Sequence, residues 1–153
     1  MAIPLQKNSK FRQGVFTPKN PAKYIGKSKP VYRSSWELKF FRWCDDNANV
    51  VEWASESIII PYISPLDRKV HRYYTDGVLA LKEGEEIKKY IIEIKPLSQV
   101  LPPKPGKKKK TTVIYENQRY VQNMAKWEAA RKYAAKHNFN FWILTEKELG
   151  LNK

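Results

Sequence analysis

Cysteine and histidine are scarce in this chain. One cysteine, Cys44, and two histidines occur among 153 residues. A single cysteine cannot build an internal disulfide framework and is typical of a reducing compartment. Structural zinc sites take their ligands from cysteine and histidine, so the composition also argues against a site of that type. We therefore expect any bound metal to be a hard cation held by oxygen ligands.

Long apolar runs are missing as well. Nothing in the sequence approaches the roughly 18 consecutive apolar residues of a membrane span. The first seven residues, Met-Ala-Ile-Pro-Leu-Gln-Lys, lack the apolar stretch of a signal peptide. Neither end of the chain forms a basic amphipathic anchor for a membrane surface. We expect no membrane partner.

Acidic residues are outnumbered by basic ones. Lysine and arginine total 29 against 15 acidic residues, which gives a formal net charge of +14. Such an excess favours a polyanionic partner, and nucleic acid is the commonest one. A basic, solvated surface without a specific partner is the alternative. At 153 residues, 42% of them hydrophobic, the chain has the size of one domain with a real core.

The first 32 residues differ from the rest. They are basic, contain four prolines and show no sustained periodicity. We interpret residues 1–32 as an extended arm, either tracking phosphates through its lysines or solvated as a tail. Residues 33–153 then form one domain, which contains a mobile basic loop at residues 97–112.

Hydrophobic periodicity predicts the elements of that domain. They are a helix from Ser34 or Ser35 to about Asn47, strands at residues 50–53, 57–63, 70–80 and 89–95, a long helix at 115–137, a strand at 139–144, and a short helix opening at Thr145. The strand–helix–strand crossover in the second half predicts a parallel pair. The fold class is therefore α/β, with a mixed central sheet flanked by helices.

Two of the predicted strands carry acidic residues where apolar ones are expected. Asp76 and Glu93 lie on successive strands joined by a turn, so hairpin pairing would bring their carboxylates together. Lys95 is two residues after Glu93, and the period of a strand places both side chains on one face. Two close carboxylates need a proton or cation between them, and oxygen ligands favour Mg²⁺ or Mn²⁺. A metal beside an ammonium suits phosphodiester hydrolysis. A surface hairpin with an ordinary ion pair is the alternative.

Weaker candidates surround that pair. Glu37 lies in the first turn of the first helix, where the helix dipole favours an acid in any case. His71 precedes Asp76 by five residues and could contact a phosphate. Four consecutive lysines in the basic loop could clamp phosphates or be solvated; they are Lys107, Lys108, Lys109 and Lys110.

The motifs resemble those of known nucleases. Thr75-Asp76 followed by Glu93-Ile94-Lys95 resembles the catalytic motif of the PD-(D/E)XK nuclease superfamily, with Thr75 where that pattern often has proline. The segments Arg33-Ser34-Ser35-Trp36-Glu37-Leu38 and Asn49-Val50-Val51-Glu52-Trp53 resemble the opening helix and strand of TnsA-like transposon endonucleases. With Asn117 and Lys126-Trp127, they are similar to the head-completion nucleases of large tailed phages. The resemblance covers residues 31 to 145.

This resemblance implies a restriction-endonuclease-like core and a set of roles. Asp76, Glu93 and the Ile94 carbonyl would bind the metal, Glu37 would complete its shell, and Lys95 would be the catalytic lysine. Gln118 and Lys126 occupy a helix that often offers polar groups to such sites, and a solvated helix face is the alternative.

The function expected is metal-dependent cleavage of double-stranded DNA. The phage family implies action on packaged DNA at the portal, with portal or head proteins as partners, in the host cytoplasm or in the virion. A dimer would suit a double-strand cut. The competing hypothesis is a non-catalytic DNA- or portal-binding protein with a nuclease-like fold.

Overall fold

A computed structural model describes residues 13–55 and 58–150. The elements in chain order are β1 (Gly14–Val15), a short 3-10 helix (Pro21–Lys23), β2 (Val31–Tyr32), α1 (Ser35–Asp46), β3 (Val50–Ser55), β4 (Ile59–Ile63), β5 (Val70–Tyr74), β6 (Gly77–Glu83), β7 (Glu86–Ile94), α2 (Leu97–Val100), α3 (Lys110–Lys136) and β8 (Asn140–Leu144). No helix in these ranges is long and apolar enough to cross a membrane.

The central sheet has the strand order β3-β6-β7-β8. The pairs β3–β6 and β6–β7 are antiparallel, whereas β7 and β8 are parallel, with Glu93 opposite Ile143. The chain crosses from β7 to β8 through α3. The predicted mixed sheet and its parallel pair are therefore confirmed.

Helix α1 covers one face of this sheet. The Ser34 side chain accepts a hydrogen bond from the backbone N–H of Glu37 at 3.1 Å, which caps the helix as predicted. Phe40, Phe41 and Cys44 are fully buried against Trp53 and other residues of the sheet. Cys44 is thus the buried small residue expected from its apolar surroundings, and burial raises the pKa of its thiol well above the usual value.

Helix α3 covers the other face. Trp127, Ala130 and Ala134 pack with Ile91 of β7 and with residues of β4 and β5. The helix begins at Lys110, five residues before its predicted start, and α2 occupies part of the predicted loop. Asn138 follows the helix with φ of 61°, the left-handed conformation that its predicted capping position requires.

The predicted strand at residues 70–80 is in fact two strands in two sheets. β5 pairs with β4 in a separate two-stranded sheet, while β6 pairs with β3 and β7. At the break, the Thr75 N–H donates to the Ile58 carbonyl at 3.2 Å and the Asp76 N–H donates to the Ile92 carbonyl at 2.9 Å. The single-strand prediction was wrong because adjacent residues find their partners in different sheets.

Residues 13–32 lie against the body of the protein. Phe16 and Tyr24 contact Trp53 with ring centroids 6.1 and 4.7 Å apart, and the Ile25 N–H donates to the Trp53 carbonyl at 2.9 Å. The Lys23 ammonium donates to the backbone carbonyls of Asp45 and Asn47. In this part of the predicted arm, that lysine binds the protein itself.

The predicted short helix at Thr145 is a turn within the described residues. Glu148 accepts from both the backbone N–H and the hydroxyl of Thr145, at 2.6 and 2.8 Å, so the side chains of a capping box do meet. Residues 146–150 nevertheless form hydrogen-bonded turns and no helix. A left-handed glycine, Gly150 with φ of 69°, interrupts the helical path.

Candidate active site

Asp76 lies at the junction of the two sheets. Its backbone N–H is held by β7, and its carboxylate oxygen Oδ2 accepts a hydrogen bond from the backbone N–H of Ile94 at 2.6 Å. The carboxylate is therefore aimed across the sheet at the end of β7. This is the position that hairpin pairing of β6 and β7 predicts.

Glu93 is buried near that end of β7, with 5% of its surface exposed. Its Oε2 accepts one hydrogen bond from the Tyr73 hydroxyl at 2.7 Å and a second from the Trp127 indole N–H at 2.9 Å. A buried carboxylate needs such partners, because an unpaired charge in the interior is costly. These contacts exclude the alternative of an exposed ion pair on a surface hairpin.

The carboxyl groups of Asp76 and Glu93 share a hydrogen bond, and their pKa values move apart. Burial raises the pKa of Asp76 well above its usual value, and the nearby charge of Glu93 raises it further. Burial also works to raise the pKa of Glu93, but the bond with Asp76, the charge of Lys95 and the two donors above outweigh it and leave that pKa lowered. In the absence of a cation, a proton is therefore held more tightly by Asp76 than by Glu93.

Two lysines face this carboxylate pair. The charge of Lys95 acts directly on Glu93. The Lys126 ammonium lies 5.7 Å from the centre of the Tyr73 ring, and burial followed by repulsion from Lys95 lowers its pKa. Lys126 thus belongs to the same cluster, although it comes from α3. Gln118, two turns earlier on α3, is exposed.

Glu37 is near enough for its charge to contribute, after burial and Glu93, to the raised pKa of Asp76. Its Oε1 accepts from the Arg33 N–H at 3.4 Å. In the described part of the chain, no group of three histidine, cysteine, aspartate or glutamate side chains is placed to hold one ion. The role of Glu37 in a metal shell stays a prediction.

Comparison with known proteins identifies relatives of this chain. Residues 47–146 match the family model of the TnsA-like endonuclease N-terminal domain. The chain is 39% identical over 144 residues to the head completion nuclease of Enterobacteria phage T4, and this alignment covers 89% of the chain and 92% of the phage protein. The chain belongs to the TnsA-like endonuclease family. The resemblance predicted from the motifs is confirmed.

The region that matches the TnsA-like family model contains most of the cluster. Asp76, Glu93, Lys95 and Lys126 all lie within residues 47–146, and Glu37 lies before them. The membership therefore covers the two strands and the helix that bring the carboxylates and lysines together. It tests none of the individual roles assigned to these residues.

The remaining candidates of this TnsA-like endonuclease lie outside the cluster. His71 has its Nε2 within 2.7 Å of an Asp67 carboxylate oxygen, at the turn end of the β4–β5 hairpin. Lys108 forms an ion pair with Glu116 at 2.8 Å and also donates to the Lys104 carbonyl. Lys107 and Lys109 are exposed in the loop that precedes α3, and Lys110 is exposed as the first residue of the helix.

Sequence reasoning missed two members of the cluster. Trp127 is fully buried, and its indole N–H also donates to Glu93. Tyr73 carried no signal of its own among the aromatic residues of the strand. Tyr73 precedes Asp76 by three residues in sequence. That separation points to a shared site only when the chain is known to change sheets between the two residues.

Proposed function

We propose that this TnsA-like endonuclease is a metal-dependent enzyme that hydrolyses phosphodiester bonds of double-stranded DNA. The observation that carries the proposal is the carboxyl pair of Asp76 and the buried Glu93, which lies close enough to Lys95 and Lys126 for their charges to interact with it. One nearby lysine already stabilises the ionised form of Glu93. A phosphate group bound beside a cation would use the positive charge of both lysines.

The donor chemistry fits a hard divalent ion. Two carboxyl groups in hydrogen-bond contact repel once both are ionised, and a cation between them removes that repulsion. Their ligand atoms are all oxygen, which suits Mg²⁺, with Mn²⁺ as a substitute. Asp76 and Glu93 would hold the ion, with the Ile94 carbonyl and Glu37 as further expected ligands. When bound, the ion would polarise the phosphate and make a bound water more acidic.

Lys95 supplies the second part of the chemistry. It follows Glu93 by two residues along β7, so both side chains leave the same face of the strand. From there its ammonium can orient the attacking water and offset the negative charge that develops on the phosphate. Lys126 comes from α3 and adds a second positive charge near the carboxyl pair, which would attract a DNA phosphate.

Binding of DNA draws on the wider surface. The net charge of +14 attracts a polyanion at long range. The exposed lysines at the start of α3 and Gln118 extend the contact along this helix. His71 can contribute only after leaving Asp67. The interaction is therefore expected to be strongly salt-dependent.

We further propose that the enzyme acts in phage head completion. The T4 relative is named a head completion nuclease, and the alignment covers nearly all of both chains. The substrate would be packaged DNA at the portal, with portal or head proteins as partners, in the infected host cell and in the assembling virion. A double-strand cut would call for a dimer or for two successive nicks.

Cleavage of duplex DNA in Mg²⁺ or Mn²⁺ tests the enzymatic proposal. Lys95→Ala and Asp76→Asn should each lower the cleavage rate by about a hundredfold or more, because the first removes the ammonium that offsets charge on the phosphate and the second removes a ligand of the ion. Lys95→Ala should keep most of the affinity for DNA, since one charge among many contributes little to binding. The measurements are initial rates on linear DNA and binding isotherms in Ca²⁺.

Lys89→Ala is the matched control, because Lys89 is exposed, lies six residues earlier on β7 and faces the same side. It should cut at the parental rate. Cleavage by Lys95→Ala and Asp76→Asn at the rate of this control would refute the proposal and favour a binding protein. In infected cells, Asp76→Asn should leave filled heads that fail to join tails, as counted by electron microscopy.

A further inference from the structure

The Glu93 carboxylate is held from outside its own sheet. The Tyr73 hydroxyl comes from β5, in the two-stranded sheet, and the Trp127 indole comes from α3. Tyr73 is 3% exposed and Trp127 is fully buried. Residues that are 20 and 34 positions away in sequence thus meet on one carboxylate oxygen.

Both donors use the same oxygen of Glu93. Oε2 accepts at 2.7 and 2.9 Å, and Oε1 receives neither bond. Two directed bonds to one oxygen restrict rotation of the carboxylate about its last torsion. In both bonds the aromatic residue is the donor and the Glu93 carboxylate is the acceptor.

We propose that Tyr73 and Trp127 are positioning residues, which orient the Glu93 carboxylate so that Oε1 is presented to Asp76 and to a divalent cation. The inference rests on the proposed function, because it takes Glu93 as a metal ligand. Groups that hydrogen-bond a metal-ligating side chain fix its orientation, and their loss typically weakens metal binding by 10- to 100-fold.

The surroundings of the two donors support a role at the site rather than in the core alone. Lys126 precedes Trp127 in α3 and places its ammonium over the Tyr73 ring. Tyr73 therefore contacts both an acid and a lysine of the cluster, and Trp127 contacts the acid. These contacts place both donors at the cluster as well as in the core.

A purely structural role makes a different prediction. If Tyr73 and Trp127 only satisfy a buried charge, their loss should lower the stability of the protein without a selective loss of ion binding. The two roles are separated by measuring ion affinity directly, without DNA and without turnover. Tyr73→Phe removes one hydroxyl and keeps the ring, so it is the variant that best preserves the fold.

The test compares Tyr73→Phe and Trp127→Phe with matched controls. Tyr62→Phe removes another buried hydroxyl, on the neighbouring strand β4, which accepts from Gln122 rather than donating to Glu93. Trp53→Phe removes another fully buried indole, whose Nε1 has no hydrogen-bond partner among the described residues. Mn²⁺ affinity is measured by titration calorimetry, thermal unfolding is followed alongside, and cleavage is recorded across a range of Mn²⁺ concentrations.

Tyr73→Phe and Trp127→Phe should each weaken Mn²⁺ binding about tenfold and shift the Mn²⁺ dependence of cleavage to match. The controls should bind Mn²⁺ within about twofold of the parent, whatever their unfolding temperature. Equal Mn²⁺ affinity in all four variants overturns the inference, and so does a loss that only follows unfolding temperature. A parent that fails to cut DNA is a failure of the proposed function instead, and it is seen before any variant is compared.

Discussion

Gly77 directly follows Asp76, where β6 runs closest to its neighbours. A methyl group built on this glycine would lie 2.8 Å from the Ala54 carbonyl oxygen of β3 and 3.1 Å from the Phe40 ring of α1. Contacts of that length force backbone or ring to move in a close-packed interior. A residue without a side chain therefore fits this position without any such movement. Glycine at position 77 thus allows the chain to enter the central sheet directly after Asp76.

Gly77→Ala should therefore destabilise the protein by about 1–3 kcal/mol, the usual cost of overpacking a core. The free energy of unfolding, measured by urea titration, is the readout. Gly106→Ala is the control, because a methyl group there meets nothing within 4 Å. It should change stability by less than about 0.5 kcal/mol. Equal effects of the two substitutions would contradict the packing account.

Residues of the site differ in how well the sequence reveals them. Asp76, Glu93 and Lys95 could be predicted because strand spacing is local and acids in apolar strands are conspicuous. Tyr73 and Trp127 could not, because their bonds to Glu93 span long stretches of chain. No periodicity carries information about such contacts. Whether Glu37 joins the same ion depends on the approach of α1 to the sheet, which is also a long-range property.

At the scale of elements, the change of sheets between β5 and β6 creates the site. Thr75 is fully buried, and its hydroxyl donates to the Ile58 carbonyl at 3.0 Å, while the next residue turns to β7. The chain thereby passes from the β4–β5 hairpin to the central sheet within two residues. One side chain of the hairpin, Tyr73, and one of the sheet, Asp76, consequently reach the same carboxylate.

Asp45, at the end of α1, binds the segment of chain that precedes β2. Asp45 is 2% exposed, and its carboxylate accepts from the backbone N–H groups of Lys19 and Asn20 at 2.8 and 3.0 Å. These two bonds attach the segment before β2 to the helix. Sequence reasoning assigned Asp45 only to the polar end of α1. Its partners lie about 25 residues upstream, beyond the reach of any local pattern.

Asp45→Ala should lower the free energy of unfolding by about 2 kcal/mol, because it leaves two backbone donors without acceptors. The amides of Lys19 and Asn20 should also lose protection from hydrogen exchange. Asp46→Ala is the control, since this neighbour is exposed and makes a single ion pair with Lys19 at 3.6 Å. It should cost less than about 0.5 kcal/mol. Unchanged protection in Asp45→Ala would show that other contacts hold the segment.

The whole molecule divides into two cores, one on each face of the central sheet. Amphipathic periodicity predicted α1, α3 from residue 115 onward and most strands of the sheet, because burial of one face leaves a local pattern in the sequence. The first part of α3 was missed because its residues are exposed and lack that pattern. The four buried residues of α3 all lie at or after Asn123. The first half is thus available to a partner, and the exposed lysines at positions 107, 109 and 110 lie at its N-terminal end.

The charge of the whole molecule leads to a test of where DNA binds. Replacing Lys107, Lys109 and Lys110 by alanine reduces the net charge from +14 to +11, since 14 − 3 = 11. Lys108 is kept because it pairs with Glu116. If all three lysines contact phosphates, the slope of log affinity against log salt should fall by about 2.7, from 0.9 per contact. The measurement is duplex binding by fluorescence anisotropy between low and physiological salt.

A second triple variant separates contact from long-range attraction. Lys82, Lys88 and Lys89 are exposed on the β6–β7 hairpin, and their replacement by alanine removes the same three charges. Because Lys82 and Lys88–Lys89 lie near the turn, at the opposite end of these strands from Asp76 and Glu93, they should not meet DNA bound at the site. Their loss should change the slope by less than about one. If both triples lower the slope equally, the start of α3 makes no specific contact and its lysines act only through total charge.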